Sequence, residues 1–89
     1  NTTNVWMKPL SDGFAAIAFL NVGPNATDIT CDDTCMSQVL PEQSKEKMVV
    51  CAYDVWNDTR ETVALSYQLV AYQVPPNGGI TLFRLGKCV

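Results

Sequence analysis

The chain has 89 residues, of which 47% are hydrophobic and 17% charged, and its formal net charge is −3. This length fits one small domain with a thin core, residues 1–89, and the composition is too apolar for a disordered chain. Its six basic residues are scattered and it has no histidine, so we expect neither nucleic-acid binding nor docking to an anionic membrane. No apolar run reaches the roughly 20 residues needed for a membrane span. Because it does not begin with methionine, we expect the chain to derive from a longer product.

The first half of the chain predicts short strands separated by turns. Residues 5–8 predict a first strand, and residues 9–13 a turn, since a proline cannot donate to a ladder and Asp-Gly favours a tight hairpin. Residues 14–22 show no polar alternation and predict a strand buried on both faces. Residues 29–40 predict a short strand, a cysteine turn and another short strand, before a polar loop at 41–47.

The second half of the chain alternates more clearly between apolar and polar residues. Residues 48–56 predict a strand, residues 62–74 the longest strand, and residues 80–85 the last one, after a Pro- and Gly-rich break at 75–79. No segment shows helical periodicity over ten residues. We therefore predict an all-β fold, a small antiparallel β-sandwich of seven to eight strands with Greek-key type connections.

The four cysteines, Cys31, Cys35, Cys51 and Cys88, predict two disulfides out of three possible connectivities. We expect Cys31–Cys35, because cysteines four apart come within bonding distance in one helical turn, and Cys51–Cys88. A zinc site is the rival interpretation, but only one close pair exists and no histidine completes a ligand set. Free buried thiols are the other alternative.

Three N-x-[S/T] sequons begin at Asn1, Asn25 and Asn57. Together with the even number of cysteines, they indicate passage through the secretory pathway. We therefore expect N-linked glycans and a secreted or lysosomal location.

The acidic residues offer no convincing catalytic site. Asp54, Asp58 and Glu61 are the nearest thing to a carboxylate pair for acid–base chemistry, but strand-end and turn positions account for them. Without a histidine, no serine or cysteine has a partner to activate it. We therefore expect no catalytic residue in this chain.

A second acidic group, Asp28, Asp32 and Asp33, raises the question of calcium. Its spacing does not fit an EF-hand loop, and capping of the cysteine turn is the favoured role. We expect no metal site and no cofactor.

Two tryptophans, Trp6 and Trp56, invite a different hypothesis. Exposed on the surface, they would form a platform on which sugar rings stack. The favoured interpretation is that they belong to the core or to an interface, since an exposed Trp on a small domain is uncommon without a partner.

Three motifs occur in order along the chain: W-x-x-P-L-S at residues 6–11 with an apolar strand ending at Asn21, D-V-W at 54–56, and V-P-P-N-G at 74–78 before the last strand. The set resembles the C-terminal β-sandwich domain of the α-galactosidase and α-N-acetylgalactosaminidase (melibiase) family of retaining glycoside hydrolases. The Cys31-x-x-x-Cys35 spacing also resembles a small disulfide loop of animal lysosomal members. The chain departs from the pattern at Asn77, where many members have His, and at Gly79, an additional glycine.

The resemblance implies a non-catalytic domain of a larger enzyme. Family members cleave terminal α-linked galactose or N-acetylgalactosamine with two aspartates of an N-terminal (β/α)8 barrel, and no residue here matches those motifs. The domain is then expected to pack an apolar patch on the barrel of the same parent chain. A homodimeric parent is a further expectation. The resemblance does not distinguish the two sugars. The alternative is a free-standing secreted β-sandwich that binds glycans or a protein through a surface Trp6 or Trp56.

Overall fold

Seven strands, two short α-helices and one turn of 3₁₀ helix (Ser11–Gly13) occur in the part of the chain that the computed structural model describes, residues 2–56, 59–65 and 68–88. For residues 12 and 59–65 it describes the course of the backbone only. In chain order the elements are β1 (Thr3–Pro9), β2 (Ala15–Asn21), β3 (Thr27–Cys31), α1 (Asp33–Val39), α2 (Pro41–Lys45), β4 (Val49–Asp54), β5 (Thr59–Leu65), β6 (Leu69–Val74) and β7 (Gly79–Gly86).

The strands form two antiparallel sheets. The larger sheet has the order β1-β2-β7-β4-β5, and the smaller sheet pairs β3 with β6. The last strand, β7, lies in the middle of the larger sheet between β2 and β4. The chain crosses between the sheets before and after β3 and before and after β6. This arrangement confirms the predicted small antiparallel β-sandwich with Greek-key type connections.

The core lies between the sheets, on the inner face of the larger one. Alternate residues of β2 point inward, so Ile17 and Phe19 are fully buried and Phe19 meets Phe83 of β7 edge to face at 6.0 Å. The remaining buried apolar residues come from both sheets and from the helical segment: Ala15, Ile29, Cys31, Met36, Val39, Leu40, Val50, Ala52, Leu69, Ala71, Val74 and Leu85.

Residues 33–39 and 41–45 form two short helices, which corrects the expected short strand and polar loop. Asp32 is the N-cap of α1, and its Oδ1 accepts a hydrogen bond from the backbone N of Cys35 at 3.0 Å. Met36, Val39 and Leu40 follow the i, i+3, i+4 spacing of one helix face and are buried. This helix completes the second layer beside the two-stranded sheet. Two buried apolar residues in a seven-residue helix, with the apolar C-cap Leu40, are too short a pattern to show a helical period in the sequence.

The predicted longest strand, residues 62–74, is two strands. Residues up to Leu65 belong to β5 in the larger sheet, whereas β6 begins at Leu69 in the smaller sheet. Residues 66–67 lie outside the described part of the chain. Apolar and polar residues keep alternating across the change of sheet, so the periodicity alone could not reveal it.

The strand predicted to be buried on both faces is buried on one only. Ala15, Ile17 and Phe19 of β2 are buried, but Ala16, Ala18 and Leu20 on its other face remain partly exposed. Within the described residues, no layer covers that face. The apolar character of β2 on both sides therefore reflects a surface as well as a core.

Candidate docking surface

An apolar strip crosses the outer face of the larger sheet. Strand register places Trp6 of β1 opposite Ala18 of β2, and Ala18 opposite Leu82 of β7. Val55, just after β4, donates its backbone N–H to the carbonyl of Leu82 at 3.0 Å and so continues the same row. Directly opposite residues of an antiparallel pair share a face, so these four side chains lie side by side.

A second apolar row lies beside the first. Leu20 of β2 is opposite Ile80 of β7, two residues along each strand from Ala18 and Leu82. Trp6 is 63% exposed, and Ile80 and Val55 are also exposed. We call these six residues, Trp6, Ala18, Leu20, Val55, Ile80 and Leu82, the apolar strip. A contiguous apolar surface of this kind marks an interaction site more often than scattered single residues do.

A row with two positive charges borders the apolar strip on the other side. Lys8 lies opposite Ala16, Ala16 opposite Arg84, and Arg84 opposite Tyr53 of β4. The guanidinium carbon of Arg84 lies 3.9 Å from the ring centroid of Phe14, a cation–π contact that holds the charge in place on the sheet. We call Lys8, Ala16, Arg84 and Tyr53 the basic row.

Both disulfides have the pairing that the sequence predicts. Cys51 of β4 is joined to Cys88, with the Cα atoms 4.9 Å apart, beside the outer face of the larger sheet. Cys31 at the end of β3 is joined to Cys35 in α1, with the Cα atoms 5.2 Å apart. The first bridge ties β4 to the segment after β7, and the second ties the smaller sheet to the helix.

Asn21 joins the ends of β2 and β6. It is the buried polar residue among those the structure describes, and every polar atom of its side chain is bonded. Its Nδ2 donates to the carbonyl oxygens of Asn25 at 2.8 Å and Val74 at 3.0 Å, and its Oδ1 accepts from the backbone N of Gly23 at 2.9 Å. These bonds hold the β2–β3 turn against the start of the 75–79 turn.

The 75–79 turn packs on the same place through its backbone. Asn77 and Gly78 both have positive φ, 61° and 93°, as the two central residues of a type I′ turn do. Asn77 donates to the carbonyl of Gly23 at 2.9 Å, and Gly78 donates to the carbonyl of Asn21 at 2.8 Å. A side chain at position 79 would overlap the backbone carbonyl of Pro75, so this position requires glycine. The first and third sequence motifs thus meet at one end of the sandwich.

Both tryptophans are exposed, which rules out the core role considered for them. Trp6 is 63% and Trp56 61% exposed. Val5 and Met7, on either side of Trp6, turn toward the core, so strand alternation sends Trp6 outward. Two roles remain for Trp6 and Trp56: contact with a partner at an interface, or stacking against sugar rings.

The aspartates considered for calcium serve separate structural roles. Asp28 Oδ1 accepts from the backbone N of Gln73 at 2.8 Å and from its Nε2 at 3.1 Å, at a bulge where Gln73 has φ 52°. Asp32 caps α1 as predicted, and Asp33 Oδ1 accepts from the backbone N of Thr34. Among the described residues, no group of three or more ligands is arranged to hold a metal ion.

The remaining predicted residues lie at the edge of the described structure or outside it. Asp54 ends β4, Asp58 is outside the described residues, and Glu61 is placed by its backbone alone, opposite Ala52. Asn25 is exposed in the β2–β3 turn, whereas the acceptor residues Asn1 and Asn57 lie outside the described residues. The helices of the described chain are too short to cross a membrane.

The geometry defines a small antiparallel β-sandwich with an apolar strip exposed on the outer face of its larger sheet. Residues 1–85 match the family model of the alpha galactosidase C-terminal beta sandwich domain, and the chain belongs to that family. This confirms the resemblance found in the sequence. No curated protein sequence matches the chain.

Solved glycoside hydrolases contain the same fold. A family 27 β-L-arabinopyranosidase from Geobacillus stearothermophilus, in complex with arabinose, is 17% identical in sequence and superposes with a TM-score of 0.77. The match covers 100% of this chain and 18% of the arabinopyranosidase chain. α-Galactosidase I from Mortierella vinacea is 13% identical with a TM-score of 0.79 over 98% of this chain and 21% of that chain. At these identities the likeness shows the fold alone. The chain spans about one fifth of the length of these enzymes.

Proposed function

We propose that this chain is the non-catalytic C-terminal domain of a glycoside hydrolase and that it docks on the catalytic domain through the outer face of its larger sheet. The exposed apolar strip is the observation that carries this proposal. Removing such a surface from water is favourable, so it stabilises whatever larger assembly covers it. The small share of the similar enzymes that the chain spans supports a catalytic domain as the covering partner.

We further propose that the parent enzyme hydrolyses terminal α-galactosyl or α-N-acetylgalactosaminyl groups with two carboxylates of its catalytic domain. The family match and the similar α-galactosidase support this assignment. The arabinopyranosidase has the same fold in its corresponding part, which supports a substrate preference set outside the β-sandwich. Whether the parent forms a homodimer stays a prediction.

A secreted or lysosomal location is the third part of the proposal. Two disulfides persist best in an oxidising compartment, and the exposed turn at Asn25 offers an accessible glycan acceptor. Glycans at Asn1 and Asn57 remain predictions from the sequence. Mass analysis of tryptic glycopeptides before and after enzymatic removal of N-glycans tests all three sites.

Trp6→Asp in the parent enzyme tests the docking surface. The change places a charge in the apolar strip on an outward-facing position, so we expect the sandwich to fold but to separate from the catalytic domain. Calorimetry should then show two unfolding transitions in place of one. Tyr72→Asp is the matched control, because Tyr72 is a 74% exposed aromatic on the smaller sheet.

Radical footprinting of the unmodified parent gives an independent reading of the same surface. Trp6 should be protected from oxidation and Tyr72 should react readily. If Trp6 reacts as fast as Tyr72 and both Asp variants unfold like the unmodified enzyme, this face is not the docking surface.

Glycan binding is a second candidate function, favoured by the exposure of both tryptophans. Trp6 is on β1 and Trp56 follows β4, three strand spacings away, or about 14 Å. At that separation the two tryptophan rings cannot stack on the same sugar ring. Calorimetric titration of the parent with α-galactosyl oligosaccharides, with its catalytic site inactivated, should show a second binding site that Trp6→Ala or Trp56→Ala removes.

A further inference from the structure

Charge is distributed unevenly over the domain, although its formal net charge is −3. By strand register, the outer-face positions of β1, β2, β4 and β7 hold Lys8 and Arg84 and no acidic residue. The backbone of Arg60 in β5 is placed opposite Tyr53, at the end of the basic row. The acidic residues whose side chains are described lie on the smaller sheet, on or beside the helices, or at the end of β4: Asp28, Asp32, Asp33, Glu42, Glu46 and Asp54.

Lys8 and Arg84 lie so close to the apolar strip that a partner covering the strip also covers these two side chains. Lys8 is two residues along β1 from Trp6, about 7 Å, and Arg84 is two residues along β7 from Leu82. A specific interface buries about 800 Å² on each partner, which extends well beyond that distance. Docking on the strip would thus take Lys8 and Arg84 out of water.

Burial of an unpaired cation is costly, and the described chain supplies no partner for these two. Neither Lys8 nor Arg84 has an ion pair with a described residue, and Arg84 contacts the Phe14 ring instead. Removing a charge from water without a counter-charge costs several kcal/mol, enough to cancel much of the gain from the apolar strip. Stable docking therefore requires the partner to supply the negative charge.

We propose that the catalytic domain of the parent enzyme presents acidic side chains to the basic row, so that apolar contact over the strip is joined by ion pairs to Lys8 and Arg84. This inference rests on the proposed docking function. Because the charges lie on one side of the strip only, they also select one orientation of the sandwich on the catalytic domain. Complementary charge at an interface contributes chiefly to such orientation and specificity.

Charge reversal in the parent enzyme tests the inference. Lys8→Glu and Arg84→Glu should each lower the temperature at which the two domains unfold together, by at least about 2 °C. Lys45→Glu, the same change on α2 away from this face, should leave that temperature within error. Arg84→Lys keeps the charge and should retain most of the stability.

Ionic strength gives a second measurement on proteins that fold normally. Raising the salt concentration should lower the unfolding temperature of the unmodified parent and should lower it less, or raise it, in Lys8→Glu and Arg84→Glu, because salt screens attraction and repulsion alike. If both variants match Lys45→Glu at every salt concentration while Trp6→Asp still separates the domains, the acidic partner surface is wrong and the docking proposal stands. If Trp6→Asp also has no effect, both are wrong.

Discussion

Asn21 is a buried amide whose hydrogen-bonding groups are matched to their surroundings. Its amide nitrogen donates to the carbonyl of Asn25 in the β2–β3 turn and to that of Val74 at the end of β6, and its oxygen accepts from a backbone N–H. An amide can do both, whereas a carboxylate only accepts. The asparagine that ends the apolar strand of the sequence motif thus has a physical reason in this fold.

Asn21→Asp should lower the free energy of unfolding by about 2 to 4 kcal/mol, because the buried carbonyl of Val74 and the partly buried carbonyl of Asn25 lose their donor and face a negative charge. Urea unfolding followed by circular dichroism measures the loss. Asn25→Asp is the matched control, since Asn25 is exposed and uses only its backbone carbonyl in this network. Equal stability of the two variants would show that the Asn21 side chain is not needed.

Helix α1 is the element that the sequence predicted least well and that the core depends on directly. Met36 is fully buried between this helix and the sheets, whereas Met48, before β4, is exposed. Met36→Ala should therefore lower the free energy of unfolding by about 2 to 4 kcal/mol, and Met48→Ala by less than about 0.5 kcal/mol. Denaturant midpoints of the two variants check the difference. A small effect of Met36→Ala would mean that α1 does not close the second layer.

The two disulfides join elements at very different sequence separations, 4 residues for Cys31–Cys35 and 37 for Cys51–Cys88. In the chain-entropy model the short loop contributes about 2 kcal/mol and the long loop about 4 kcal/mol. Removing the long bridge by Cys51→Ala with Cys88→Ala should therefore destabilise the domain more than Cys31→Ala with Cys35→Ala. Thermal unfolding of both double variants decides the order, and the reverse order would show that burial of Cys31 outweighs loop entropy.

At the scale of elements, the sequence predicts those elements whose residue pattern is regular and misses those whose pattern is short or changes sheet. Alternation and turn residues predict the strands and the sandwich, and the cysteine spacing predicts the disulfides. Helix α1 buries only Met36 and Val39 of its own seven residues. The step from Leu65 to Leu69 changes sheet without changing the alternation. The helix pattern is too short to show a period, and the alternation between β5 and β6 carries no information about which sheet its residues join.

At the scale of the whole molecule, the outer face of the larger sheet could not be predicted. Leu20 and Ala18 have the apolar character of core residues, yet they face away from the core. A position buried by a partner and a position buried within its own domain both hold apolar residues, so the sequence does not distinguish them. Only the register of β1, β2 and β7 shows which apolar residues belong to a surface.

The apolar strip should make the separated chain bind a hydrophobic-surface dye. Trp6→Asp should reduce the dye fluorescence severalfold, while Tyr72→Asp, on the smaller sheet, should leave it unchanged. Fluorescence titration at matched protein concentration, with folding checked by circular dichroism, measures both. A folded chain that binds no dye would contradict the assignment of the strip as an open docking surface.

The central place of β7 has a consequence for the order of events during synthesis. The hairpins β1–β2 and β4–β5 are made early, but the strand that joins them into one sheet is the last of the seven described. The outer face of the larger sheet can therefore form only after β7 has been synthesised. The disulfide between Cys51 and Cys88 can form only after that. A premature stop between Val74 and Gly79 would leave the hairpins β1–β2 and β4–β5 unconnected, with four exposed sheet edges that favour chaperone binding and aggregation.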